Sequence, residues 1–315
     1  MTSPAAAAPI RVGTAGWSYE DWNGIVYPKS PPRGYDRLAE IATLFDTNEI
    51  NSSFYRIPTP RMTRDWSRRV AHNPRFAFTA KLFRGFTHER KAGSPERKEF
   101  LSAMEPLASD GRLGAVLVQF PFSFRNDPAS RETLGAILRD FSALPLAVEF
   151  RHESWDDDAT AALLAEHRAA FVNIDQPRLP GNLGATDRIT APLAYYRFHG
   201  RNAPKWFGPE SSNIERYNYL YRGRELEECV ARIRRAADRV SERSGSEREA
   251  ERNVYAILNN HFRGQAVANA LEIQNALGGG SRDVPPTLFD AYPNLAPVAR
   301  SRGGAAQPGL FDRRP

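Results

Sequence analysis

The segment AVEFRHESW, residues 147–155, decides how the rest of the chain is read. An apolar start, Ala147 and Val148, runs directly into Glu149, Arg151 and His152, with Trp155 close behind. Ionisable groups at the end of a hydrophobic run are costly to bury unless they are paired. A strand that ends in them must deliver them where they are compensated or used. The same design recurs along the chain. Short runs rich in β-branched, aromatic and small apolar residues occur at IRVGTAG (10–16), TNEIN (47–51), FAFTAK (76–81) and GAVLVQF (114–120). They continue at LAVEFR (146–151), FVNID (171–175), AYYRFH (194–199) and VYAILNN (254–260). Helical periodicity fills intervals at 35–45, 95–108, 129–141 and 157–168. Eight strands alternating with helices predict a single-domain α/β fold, the (β/α)8 TIM-type barrel. A doubly wound sheet shares the alternation, but no Gly-rich nucleotide fingerprint follows any strand.

Side chains alternate between the faces of a strand. Glu49 therefore shares a face with Asn51, Thr79 with Lys81, Glu149 with Arg151 and Asn173 with Asp175. Arg197 pairs in the same way with His199, and Asn259 with His261, while Gln119 completes the set. Phe78, Phe150, Tyr196 and Phe198 then face the helices. In a barrel these polar sets converge at the mouth formed by the C-terminal strand ends, where such folds carry their sites. They either close the barrel top by pairing with one another or meet a ligand. The number of charges favours a ligand.

Two chemistries compete for this mouth. His88, His152, His199 and His261 fall at or just after strand ends, and with Glu49, Glu149 and Asp175 they suggest a divalent metal. Against a metal stand the cations Lys81, Arg151 and Arg197 and the lack of an HxxxH or HxH spacing. Those cations suit a phosphate or carboxylate instead. On this reading no cofactor is needed, and Glu49, Lys81, Glu149, Asp175 and His199 are the catalytic candidates, with Glu149 and Glu49 as the main acid and base. A desolvated Lys81 could also form an imine, though a charge partner is the commoner role. The loop NNHFRGQAVANA leads Gly264 into a helix whose first amides could cradle an anion. Aromatics frame the mouth: Trp17, Tyr19, Trp22, Phe54, Tyr55, Trp155 and Trp206. Each packs by default, and together they could stack sugars or bases.

Bulk properties narrow the class. Of the 315 residues, 43 are Lys or Arg and 37 Asp or Glu, a net charge of +6. Half of that excess lies in Arg300, Arg302, Arg313 and Arg314 against Asp312, so a basic site must be local. The single cysteine, Cys229, excludes an internal disulfide. No apolar run approaches the ~20 residues of a membrane helix, and MTSPAAAAPI lacks the basic start of a secretory leader. A cytoplasmic protein with no membrane partner is expected. Residues 1–9 read as a flexible N-terminus, 10–277 as the barrel, 241–252 as a charged loop insertion, and 278–315 as a disordered Gly/Pro/Arg-rich tail. Within that tail, PPTLFD (285–290) is expected to pack back onto the barrel.

The ordered segments VGTAGWSYEDWNGIVYP, TNEINSSFYRIPTPRMTRDW, FAFTAKLFRGFTH, LVQFPFSF, VEFRHESW, YYRFHG and NNHFRGQAVANA resemble the motifs of the YecE-like family, domain of unknown function 72. The resemblance implies a TIM-type barrel and marks Tyr19, Trp22, Glu49, Asn51, Phe54, Tyr55, Lys81 and His88. From the second half it marks Gln119, Glu149, Arg151, His152, Trp155, Arg197, His199, Asn259, Asn260, His261 and Asn269. The ligand-binding candidates are thus Tyr19, Asn51, Tyr55, His88, Gln119, Arg151, His152, Trp155, Arg197, Asn259, Asn260 and His261. A separate feature is QPGLF (Gln307–Phe311), similar to the peptides that dock on bacterial sliding clamps, with Gln307 hydrogen bonding and Leu310 and Phe311 filling an apolar pocket. The expected function is acid/base catalysis on a phosphate-bearing ligand, either a sugar phosphate or a nucleic-acid terminus. The alternative is a non-catalytic nucleic-acid-binding protein recruited through the tail.

Overall fold

The computed structural model describes residues 7–206, 213–242 and 252–302. Eight parallel strands form a closed barrel in sequential order: β1 (Ile10–Ala15), β2 (Thr47–Ile50), β3 (Ala77–Lys81), β4 (Leu113–Gln119), β5 (Leu146–Glu149), β6 (Ala170–Asp175), β7 (Leu193–Phe198) and β8 (Asn253–Leu258). Closure is made by β8 against β1, with Arg11 opposite Tyr255 and Gly13 opposite Ile257. All eight predicted strands are present, and the fold is the expected (β/α)8 barrel.

The wall helices are α1 (Arg37–Leu44), α2 (Pro60–Arg69), α3 (Ser94–Ser109), α4 (Pro128–Asp140), α5 (Asp158–Glu166), α6 (Arg224–Glu242) and α7 (Gln265–Gln274). Local chemistry sets several of their starts. Asp36, Asp127 and Asp157 accept backbone N–H groups of the first turns of α1, α4 and α5, and Thr59 does so for α2. Pro60 and Pro128 sit in first turns, where the missing N–H is not needed. Along α6, Cys229, Ile233, Ala236, Ala237 and Val240 form the buried stripe, so Cys229 is a core residue.

One wall position has no helix. Between β6 and β7, residues 176–192 run as an irregular segment. Asn173 pins it: its side chain accepts from the Thr186 hydroxyl and the Arg188 amide and donates to the Arg188 carbonyl. These bonds satisfy backbone groups that a helix would have satisfied internally. At the opposite end of the barrel Tyr255 crosses the floor to Gly114, where a Cβ would lie 2.1 Å from its hydroxyl.

The expected tail is corrected in its first part. Residues Arg282–Val284 and Ala299–Ser301 pair as a small two-stranded sheet, with a short helix, Pro286–Ala291, between them. Leu288, as PPTLFD implied, is fully buried, and so are Val284 and Leu295. Composition misled here because a few apolar residues suffice when an existing wall supplies the other half of the core. Among the described N-terminal residues Ala8 is anchored at the barrel: it is buried, and its amide donates to Ser241. Of the 241–252 insertion, Ser241 and Glu242 complete α6 and residues 243–251 lie outside the described residues. Gln307, Leu310 and Phe311 lie outside them as well.

Candidate functional site at the barrel mouth

At the centre of the mouth lies Arg197, 1% exposed, between two carboxylates that are fully buried. Its two terminal nitrogens reach Glu149 at 2.5 Å and Glu49 at 2.7 Å. The Tyr195 hydroxyl donates to the second Glu49 oxygen at 2.9 Å and meets Thr79 at 2.7 Å. Arg151 closes on the other Glu149 oxygen at 2.5 Å, an ion pair whose N–H is not aimed for a hydrogen bond. Such pairs survive burial only when each charge is matched. Burial opposes ionisation of Glu149, but Arg151 and Arg197 outweigh it and hold the carboxyl well below the usual carboxylate range.

Parity accounts for this convergence. Glu49 stands opposite Thr79, and Gln119 opposite Glu149, so all four point inward. Lys81, Arg151, His199 and Asn259 follow two residues along their chains. The His199 ring is held by Asn259 at 2.9 Å through one nitrogen, while the other faces Glu149 at 3.6 Å. Burial, with Arg151 next in weight, brings its pKa down to about 3, so the ring is neutral at pH 7. Lys81 differs from its neighbours. Its ammonium lies 4.2 Å from the centre of the Phe54 ring, and burial with Arg197 pulls its pKa down to about 8. His88 packs edge-on against the same Phe54, and burial with Lys81 and Arg151 lowers it to about 4.

Above this floor, aromatic rings form one side of the rim. Tyr19 stacks on His261 at 4.5 Å, Tyr217 approaches His261 at 5.4 Å, and Trp206 and Tyr217 each lie just over 6 Å from His199. The Tyr19 hydroxyl donates to the Ala15 carbonyl at 2.6 Å with Asn51 beside it, and burial raises its pKa. A cleft of about 170 Å³ opens beside them, lined by Gln119, Phe122, Arg151, Gln176, Asn182, Trp206, Arg216 and Tyr217. Tyr55 stands on the outer rim, largely exposed, with its ring edge on Phe54.

Several expected site residues lie elsewhere. On β6 it is Ile174 that stands opposite Arg197, so Asn173 and Asp175 point outward. Asp175 is not a mouth acid: it receives Arg201 through both oxygens, the Tyr221 hydroxyl at 2.8 Å, and Arg232 of α6. Trp155 is fully buried behind the wall, stacked on Phe150 and Phe124, with its ring N–H on the Phe124 carbonyl. His152 caps the turn Glu153–Trp155 through its Nδ1. Asn260 and Asn269 bond each other and the backbone of Tyr219 and Tyr221, bracing the loop after β7. Trp22 is core, anchored to the His261 carbonyl. The amides before α7 do not cradle an external anion. Gly264 is buried under Val26, Ile25 and Tyr292, and the Arg263 amide is taken by Asp21.

Glu49 and Glu149 both direct oxygens at Arg197, and among the described residues no three His, Cys, Asp or Glu side chains gather in a metal-binding group. Sequence reasoning missed Tyr195, Gln176, Asn182, Arg216 and Tyr217. Tyr195 was reachable by parity, two residues before Arg197. The others come from loops with no strand alternation to place them.

The buried histidine makes stability depend on pH. With a folded pKa of about 3 against ~6.5 unfolded, His199 leaves the unfolded chain binding more protons across that window. Stability is therefore fully present above pH 6.5 and falls as pH drops towards 3. Glu149, depressed in the fold, adds to the loss below its ordinary range. Urea midpoints should decline from pH 6.5 to 4.5, and His199→Asn should make that decline shallower. An unchanged slope would show that His199 is not held neutral.

A family profile described as "Protein of unknown function DUF72" matches residues 11–291. The UPF0759 protein YunF of Bacillus subtilis is 25% identical over 301 residues, 90% of this chain and all of that protein. The UPF0759 protein YecE of Escherichia coli K12 is 29% identical over 147 residues, 45% of this chain and 48% of that one. Among solved structures, a DUF72 family protein of Thermotoga maritima (TM1631) superposes with a TM-score of 0.72 at 34% identity, covering 86% of this chain and 99% of its own. A second, from Enterococcus faecalis (EF0366), gives a TM-score of 0.73 at 26% identity over 88% and 98% of the two chains. No helix among the described residues is long and apolar enough to cross a membrane.

Proposed function

The chain belongs to the DUF72 family, and from its barrel mouth we propose an enzyme that binds a small phosphate-bearing ligand and moves a proton through Lys81. One observation carries this reading. Among the described residues Lys81 has no carboxylate partner, although it stands half-buried beside Arg197 and Arg151. A desolvated ammonium next to two guanidinium groups is stabilised by an incoming anion. Its pKa of about 8 also places proton transfer within reach of neutral pH. Glu49 and Glu149 take a different role from the acid and base first expected of them. Clamped on Arg197 and excluded from solvent, they fix the guanidinium and set the field that Lys81 and His199 feel. Imine formation at Lys81 would use the same depressed pKa and remains a second outcome of the test below. A cleft of about 170 Å³ suits a sugar phosphate better than a nucleic-acid terminus.

Calorimetric titration with glycerol 3-phosphate at pH 7 should show binding that Lys81→Met weakens by roughly tenfold to a hundredfold, the loss of one charge-assisted contact. Because Lys81 must be protonated to hold the phosphate, wild-type affinity should fall as pH rises through about 8. Reductive trapping with borohydride and a carbonyl compound would reveal an imine. Equal affinity in Lys81→Met would remove Lys81 from the site.

A further inference from the structure

We infer that the ligand carries two anionic groups and spans the mouth from Lys81 to Arg216, the second group seated after β7. The inference rests on the anion-binding reading of the mouth given above and names its ligand class. Arg197 is matched by Glu49 and Glu149, Arg151 by Glu149 and Gln176, and Arg201 by Asp175. Glu215, the acid adjacent to Arg216, is engaged by Lys205 at 3.2 Å. Arg216 itself forms no ion pair or hydrogen bond among the described residues, and its Nε is buried without an acceptor. Lys81, over the Phe54 ring, is the other mouth cation without a carboxylate in ion-pair contact among the described residues. The Nε atoms of Arg151 and Arg197 are also buried without an acceptor, but those guanidinium groups keep ion pairs, and Arg216 keeps none among the described residues.

Geometry makes the two seats separate. In a closed barrel of eight strands in sequential order, β3 and β7 are four strands apart and stand on opposite sides. Lys81 is not among the residues that line the cleft around Arg216, so a phosphate seated in that cleft does not reach both cations. A ligand with an anionic group at each end can do so. Arg216, Arg151 and Gln119 all line the cleft, and Arg151 is also one of the charges that Lys81 feels. The Gln119 side-chain amide has no partner among the described residues. An amide in that position suits hydroxyl groups on the ligand's middle, while Trp206 and Tyr217 wall one side. The chemistry that meets all these demands is a short hydroxylated chain or ring with two terminal anions, such as a sugar bisphosphate or a phosphorylated sugar acid. Two tethered contacts add far more affinity than either alone when the spacing matches, because the second binds at high effective concentration.

A length series tests the span directly. Wild-type protein at pH 7 is titrated with propylphosphonate and with straight-chain α,ω-bisphosphonates of two to eight methylenes. One length should bind at least about tenfold more tightly than propylphosphonate. In Arg216→Gln that advantage should vanish while propylphosphonate binding stays, and Arg216→Lys should restore part of it. Lys81→Met should weaken both classes. If every bisphosphonate binds within about twofold of propylphosphonate, or the advantage persists in Arg216→Gln, the two-seat inference is wrong. The single-anion reading then stands wherever propylphosphonate still depends on Lys81. Absence of binding by either class removes both.

Discussion

Arg197→Met is expected to destabilise the protein by about 3–5 kcal/mol, the range seen when one member of a buried ion pair is removed. The guanidinium is the shared partner of two carboxylates that have no access to water. Glu149 would keep Arg151 at 2.5 Å, but Glu49 would be left with only the Tyr195 hydroxyl. Glu49 would then have to stay charged and poorly matched, or take up a proton at neutral pH. Either alternative favours the unfolded chain. Urea unfolding at pH 7 measures the effect. The triple variant Glu49→Gln/Glu149→Gln/Arg197→Met removes charge from all three positions and should recover much of the loss, since replacing every partner of a buried network is far milder than orphaning one. A single Arg197→Met variant within about 1 kcal/mol of wild type would mean that water reaches the two carboxylates and the clamp is not buried.

Trp155→Ala should cost a comparable ~3–5 kcal/mol, as expected for truncating a large core aromatic. The ring stacks at 4.5 Å on Phe150 and 5.2 Å on Phe124, and its N–H satisfies the Phe124 carbonyl. Truncation leaves a void and an unpaired carbonyl behind the strand wall. The sequence alone placed Trp155 among the ligand-binding residues, and the two roles give opposite results. Lower urea midpoints with unchanged propylphosphonate affinity in the remaining folded protein identify a core residue. A loss of affinity at nearly constant stability would return Trp155 to the site.

Alternation within a strand was legible residue by residue. Once Glu149 is taken as inward, Arg151 follows; once Arg197 is inward, so is His199. What alternation cannot supply is the phase of each strand. Where both sides of a strand are buried, as in a barrel with helices outside, hydrophobic pattern no longer tells core from wall. β6 exposes this limit. Asn173 and Asp175 carry the polar groups and were read as facing the mouth, yet both sides of that strand are buried, and Val172 and Ile174 took the interior. The absence of a helix after β6 is part of the reason. Asn173 serves the irregular segment outside, and Asp175 meets Arg201, Arg232 and Tyr221 there, partners that come from later loops and from α6.

The sequence by itself determined the number and order of the strands, the barrel, and the delivery of Glu49, Lys81, Gln119, Glu149, Arg151, Arg197, His199 and Asn259 to one end of it. Those are consequences of local propensity and a two-residue period, which the chain carries wherever it goes. Only the tertiary structure decided who is paired with whom. Arg197 meets Glu149 across 48 residues of chain and Glu49 across 148, and the second contact is brought together by the closing of β8 on β1. Because a buried charge takes its character from its nearest partners, that pairing is what sets the environment of Glu49 and Glu149. It left Lys81 and Arg216 as the cations without carboxylates among the described residues of the mouth.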